Sequence, residues 1–282
     1  AAVPAVLPQE GVHPPPVREL AERREEMDVN PAPLLRVHRG PTSVREMVTQ
    51  LLATPPSWRF SDRAGQRHRL WSITDPDRLA TIDEGLAAGQ ALIADGHHRY
   101  AAYLRLRDAH PGTPWGRGLA MLVDHDDTPL FLGAIHRFLE GTTLAEIEQA
   151  LQKAPWLRGR RRSPTAAMAA LGPDTLVMTD GESWLAVDGI GATTHTAVEV
   201  FHSDVVSHLA TTPPLTYHHS VQSTLDAVAR HRGVAALLPS ADLDCVVTTS
   251  RERLLPEKAT SFQPKPSLGV LMRTLSDERV DH

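Results

Sequence analysis

Cysteine is nearly absent: Cys245 stands alone among 282 residues, so neither an internal disulfide nor a thiolate metal cluster can form within the chain. A reducing, cytoplasmic setting is the expectation that follows. Long apolar runs are lacking too. No stretch reaches the roughly 18 residues needed to cross a bilayer, and the start shows no basic-then-apolar pattern of a signal peptide. A basic excess is also missing, with 29 Lys and Arg against 34 Asp and Glu, a formal charge of -5 and a pI near 6.3. Proteins dedicated to nucleic acid carry the opposite balance. Small solutes are therefore the expected partners, not nucleic acid or membrane, and a homo-oligomer is compatible with these numbers. Internal repeats are absent as well.

What is present suits a folded α/β chain. The hydrophobic fraction of 41% and charged fraction of 22% lie near the globular average, so a sizeable core can be buried. The length favours two domains, placed at 1–140 and 141–282. The 23 prolines fall mainly between periodic segments, which marks stiffened connections. Residues 1–16 hold Pro4, Pro8 and Pro14 to Pro16 without periodicity and read as an extended arm, followed by a short helix over 17–27. Ser43 with Glu46 predicts a capping box for a helix to Leu52. A hairpin is expected at 58–60 and 68–73, a helix over 76–88, and an antiparallel strand pair at 119–123 and 130–136. The second half reads as helix 143–153, an Arg-rich turn at 158–162 with a solvated or phosphate-attracting face, strands at 175–179 and 183–187, and helix 197–209. Beyond these come a strand ending at Tyr217-His218-His219, helix 221–231, strand 233–238, a Lys-rich loop and a strand at 269–272.

The chemistry concentrates in Ala91-Leu92-Ile93-Ala94-Asp95-Gly96-His97-His98-Arg99-Tyr100. An apolar strand runs into a glycine turn, and a helix starts at once. Helix N-termini present backbone N–H groups and a partial positive charge, so such a junction is suited to an anion. Gly96 lets phosphate oxygens approach the amides of His97, His98 and Arg99, and the Arg99 guanidinium can take two oxygens at once. Asp95 is the candidate for Mg2+, and the two histidines add donors, either of which is expected to titrate near neutrality when phosphate is bound. The plainer reading is a helix cap with solvated histidines. Zinc is the other, although adjacent histidines on a helix diverge by about 100 degrees.

These residues resemble the signature of the bacterial family catalogued as domain of unknown function 1015. Arg67-His68-Arg69-Leu70-Trp71 resembles its hairpin, Ile135-His136-Arg137 a strand end, and the run from Pro256 to Pro266, which contains Lys258, Thr260, Ser261 and Lys265, its C-terminal motif. The glycine turn is similar to the phosphate motif of the ParB and sulfiredoxin superfamily, some members of which are free serine kinases. The resemblance implies a ParB/sulfiredoxin-like phosphate-binding domain followed by a smaller α/β domain. It also implies phosphoryl transfer from ATP, another nucleoside triphosphate or ADP to the hydroxyl of free serine or a related metabolite. Glu10 matches the early catalytic glutamate of the serine kinases and is the candidate base, against a plain loop carboxylate. Asp95 and His97 complete the catalytic set.

Phosphate contacts are expected from Gly96 to Tyr100 and from Lys258, Thr260, Ser261 and Lys265, with both lysines facing the same cleft as Gly96; two solvated lysines are the alternative. His136, Arg137, His202 and His219 are candidates for the substrate. Two departures stand out. The family's upstream segment has no counterpart here, as in a processed form or a shortened relative, and its His-Glu pair reads Gln9-Glu10. A nucleotide-binding switch that hydrolyses its triphosphate is the main alternative function. A metal-dependent hydrolase built on His97, His98, His136 and His219 is the second.

Overall fold

The computed structural model describes residues 5–87, 89–192 and 195–275, and these form two units. Unit 1 takes the chain up to Pro8, Val12–Leu130 and the stretch from Pro264, while unit 2 takes Gln9–Gly11 and Phe131–Gln263. The sequence-based division at residue 140 thus differs from the chain's own. His136–Glu140 is a central strand of unit 2, and the end of the chain returns to unit 1.

Unit 1 is built on a mixed four-stranded sheet in the order Val6–Leu7, Ala91–Asp95, Leu34–His38, Ala120–Asp124. Leu34, Leu35, Leu92 and Ile93 are essentially inaccessible, as expected of short apolar strands covered on both faces. Val6 and Leu7 pair in parallel with Ala91 and Leu92, so the proline-rich start is not a free arm from Ala5 onward; residues 1–4 lie outside the described ones. Pro14 to Pro16 open the helix Pro14–Met27, where the missing N–H of proline costs nothing. That helix packs on His97–Ala109 through Ala21, Ala102, Leu106, Trp115 and Leu275. The hairpin Trp58–Ser61 with Arg67–Leu70 forms as expected. Helix Thr42–Leu52 begins a residue early behind Pro41 and has no side-chain cap, so the expected capping box is not made.

Ala120–Asp124 pairs in parallel with Leu34–His38, and Phe131–Gly133 pairs with Ser261–Gln263 in unit 2. The expected antiparallel pair between these neighbours does not exist. Each strand finds a partner far along the chain instead.

Unit 2 is a six-stranded antiparallel sheet in the order Arg158–Arg162, Trp184–Asp188, Thr175–Thr179, Gly233–Leu237, His136–Glu140, Leu215–His218. Helices Pro164–Ala170 and Val221–Arg230 cover Val177, Trp184 and Leu237. The Arg-rich segment is an exposed edge strand rather than a turn. Arginine side chains there leave the edge poorly suited to pairing with another chain. Thr143 and Glu146 complete a capping box at Leu144–Leu151, and helix Leu243–Glu252, not anticipated from the sequence, is capped by Asp242. In unit 1, Gly269 lies in a turn, and the terminal strand is Arg273–Thr274 instead.

Candidate functional site

The anticipated residues fall into two sets, one in each unit. In unit 1, Asp95 ends the strand, Gly96 is the N-cap of His97–Ala109 with φ of 98°, and the Tyr100 N–H closes the first turn on the Gly96 carbonyl at 2.8 Å. Only glycine adopts this left-handed conformation without cost. Space imposes the same choice: a Cβ at Gly96 would lie 2.9 Å from both Leu34 Cδ2 and Arg99 Nη2.

Arg99 does not reach outward for a ligand as expected. Its Nη1 donates to the carbonyls of Pro33 at 2.8 Å and Ala32 at 3.3 Å, and Nη2 donates to Asp95 Oδ2 at 2.7 Å. Lys265 Nζ meets the other Asp95 oxygen, Oδ1, at 2.8 Å. Asp95 therefore does not fit as the holder of Mg2+, because each oxygen already faces a cation and a hard divalent ion would have to displace one. Among the described residues, no three His, Cys, Asp or Glu are grouped to hold a metal. The zinc and metal-hydrolase readings consequently find no ligand set there.

His97 is the first residue of the helix. Burial holds its pKa at about 4, with Asp95 partly opposing the shift and His98 adding to it, so the ring is neutral near pH 7. His98 Nε2 accepts the His13 N–H at 3.2 Å, and the two rings stack. The Arg36 guanidinium lies over the Tyr100 ring. Arg24, missed in the sequence, is 2% exposed, lies 4.0 Å from the Tyr103 ring centre and donates to the Arg99 carbonyl. Its signal was a basic residue one turn after Ala21 on the buried helix face.

In unit 2, Glu10 bridges in parallel to Leu255 and faces the loop that follows. Its Oε2 accepts the Lys258 N–H at 3.3 Å and its Oε1 the Thr260 N–H at 3.4 Å. Gln9 Nε2 donates to Thr260 Oγ1 at 2.8 Å, a contact that sequence reasoning did not anticipate. Burial raises the Glu10 pKa, and the Thr260 and Lys258 amides and the Lys258 charge offset part of the rise. Ser261 is buried in the short strand that follows, while the Lys258 side chain is exposed.

Arg137 is fully buried and donates to the carbonyls of Lys258, at 2.8 Å, and Ile135. Its guanidinium lies 5.2 Å from the centre of the Tyr217 ring, the residue opposite it in the ladder. Burial lowers its pKa to about 10, against the pull of Tyr217 and Glu10. His136 Nδ1 accepts the Leu238 N–H at 3.2 Å, which leaves the proton of the neutral ring on Nε2. Its pKa is about 4 through burial, reinforced by Arg137, His218 and His219; that of His202 is also about 4, through burial and Arg137. His219 is exposed beside the end of its strand.

The assembled chemistry comprises an anion-type turn braced by internal cations in unit 1, and in unit 2 a carboxylate of raised basicity held by backbone amides. No curated protein matches the sequence. Among solved structures, a free serine kinase mutant in complex with AMP is similar over 97% of this chain and 90% of its own, at 15% identity and a TM-score of 0.53. A free serine kinase mutant with ADP gives a TM-score of 0.51 at 14% identity over the same shares. C-terminally truncated SbnI from Staphylococcus aureus gives 0.56 at 13% identity, over 100% of this chain and 89% of that one. The structural likeness over nearly the whole chain shows a common two-domain α/β fold, and no helix among the described residues is long and apolar enough to cross a membrane. The sequence profile of the family described as protein of unknown function (DUF1015) spans residues 2–228, and the chain belongs to that family.

Proposed function

We propose that the protein is a small-molecule kinase that moves a phosphoryl group from a nucleoside triphosphate to the hydroxyl of serine or a related small metabolite. The observation that carries this reading is the Glu10 carboxylate, half-buried, raised in pKa and oriented by two backbone amides. Phosphoryl transfer asks a protein for positioning, charge neutralisation and a proton acceptor for the attacking hydroxyl. Glu10 is the acceptor: the substrate oxygen bonds to the γ-phosphorus, the bond from that phosphorus to the β-phosphate oxygen breaks, and the hydroxyl proton passes to Glu10. The turn at Gly96 receives phosphate oxygens at the start of His97–Ala109, with Lys265 as the adjacent cation. Neutral His97 serves there as a hydrogen-bonding group rather than a charge. The fold shared with free serine kinases complexed with AMP and ADP supports an adenine nucleotide and a serine-type acceptor.

The test is phosphoryl transfer to L-serine and a panel of small alcohols, with ATP and ADP as donors, beside calorimetric nucleotide binding. Glu10→Gln keeps the shape but removes proton acceptance, so turnover falls by about 100-fold to 10,000-fold while nucleotide affinity barely moves. Unchanged turnover would remove Glu10 as base. Nucleotide hydrolysis that no acceptor stimulates would favour the switch reading.

A further inference from the structure

We propose that Arg137 is the positioning residue for Glu10, acting through the loop from Lys258 to Thr260; the inference rests on the reading of Glu10 as the base. Arg137 is 0% exposed, and no carboxylate among the described residues comes within ion-pair distance of it. A buried cation without a direct counter-ion is expensive and needs strong local compensation. The guanidinium spends its donors on backbone instead, spanning the Ile135 and Lys258 carbonyls, while its Nε has no hydrogen-bond partner.

The Lys258 contact explains the local backbone. Lys258 has φ of 57°, a left-handed conformation unfavourable for any residue with a Cβ. That conformation turns the peptide so that its carbonyl meets Arg137 while the N–H groups of Lys258 and Thr260 both meet Glu10. One side chain thus holds the strained residue, and the strained residue holds the carboxylate. Without Arg137 the loop relaxes and the amides leave Glu10.

The electrostatic surroundings follow the same geometry. Arg137 is faced by Tyr217 from the neighbouring strand, by His202 from the helical segment after Val200, by Glu10 and by the Lys258 loop, with His136 beside it in its own strand. Glu10 itself meets the amides of Lys258, Ala259 and Thr260 and the charge of Lys258. Arg137 therefore stabilises ionised Glu10 by its own charge and through the amides it sets. That opposes the effect of burial on the carboxyl.

The experiment uses the full chain with Arg137→Lys and Arg137→Met. Amide hydrogen exchange is followed by NMR, and the Glu10 carboxyl is titrated by its carbon-13 shift. Lys lacks the fork that spans two carbonyls, so exchange at Lys258 and Thr260 accelerates about tenfold in Arg137→Lys while the central strands of unit 2 keep their protection. In Arg137→Met the Glu10 titration and the acidic limb of the pH–rate profile move up by about one pH unit; in Arg137→Lys they move the same way by less. Unmoved exchange and titration in folded Arg137→Lys would overturn the proposal, as would faster exchange spread evenly over unit 2. If Arg137→Met does not fold, Arg137→Lys still decides. Neither NMR readout depends on phosphoryl transfer, so a wild type without transfer overturns the kinase reading alone, and transfer without coupling overturns the positioning role alone.

Discussion

Arg99 shows how a side chain suited to a ligand can be used on its own fold. Its contacts with Ala32, Pro33 and Asp95 brace the turn from beneath, at the place where Gly96 leaves no room for a Cβ. Charge-assisted hydrogen bonds of this kind contribute about 1.5–3 kcal/mol. Arg99→Ala is therefore expected to lower the unfolding free energy of unit 1 by about 2–3 kcal/mol, with weaker nucleotide binding as a consequence of a deformed turn. Arg99→Lys, a point charge without the fork, restores only part of the stability. Denaturant unfolding beside nucleotide titration separates the two roles. If affinity fell while stability stayed unchanged, the guanidinium would be serving phosphate directly, as the sequence pattern suggested.

At the scale of elements, the glycine turn is only as well placed as the helix that follows it. His97–Ala109 is held against Pro14–Met27 by a small cluster that includes Leu275, 0% exposed and contributed by the returning end of the chain. Leu275→Ala leaves a cavity there and should cost about 2–5 kcal/mol, seen in chemical unfolding of unit 1; a loss below about 1 kcal/mol would mean that the cluster collapses to fill the gap. The strand, glycine turn and helix of this site were legible in the sequence because each step has a local cause: an apolar run, a residue free of a Cβ, a helix start. The Leu275 contact was not, since it depends on where the chain returns. For the same reason 119–123 and 130–136 resembled an antiparallel pair, although the strands that form there, 120–124 and 131–133, each pair with a distant one. Glu10 was found through resemblance alone, and its amide partners lie 248 and 250 positions away. Nothing in the local pattern of Ile135-His136-Arg137 announces a bond to a carbonyl 121 positions later.

Across the whole molecule, buried histidines set how the protein meets acid. His97 in unit 1 and His136 and His202 in unit 2 have pKa values of about 4, chiefly through burial, against an ordinary 6.5. Unfolded chains take up these protons near pH 6.5, whereas the folded state refuses them until about 4. The stability they contribute is present above pH 6.5 and is lost as pH falls through that window, by about 1.4 kcal/mol per pH unit for each group. Glu10 acts in the opposite sense: its raised pKa means that the folded state holds its proton more tightly, so its contribution is present at low pH and fades as pH rises. It offsets part of the histidine effect in unit 2, where the lowered pKa of His218 adds to that effect, as the lowered pKa of His38 does in unit 1. Asp124 and Glu199, both lowered, lose their contributions only as pH falls below the ordinary carboxylate range. Unit 2, with two strongly shifted histidines against one, should therefore lose stability faster between pH 6.5 and 4.5 in scanning calorimetry at constant ionic strength. His202→Gln removes one proton-uptake step and should flatten the unit 2 slope by about 1.4 kcal/mol per pH unit. A melting temperature insensitive to pH over this range would show that the histidines take up protons in the folded state, and that the burial assigned to their rings does not hold in solution.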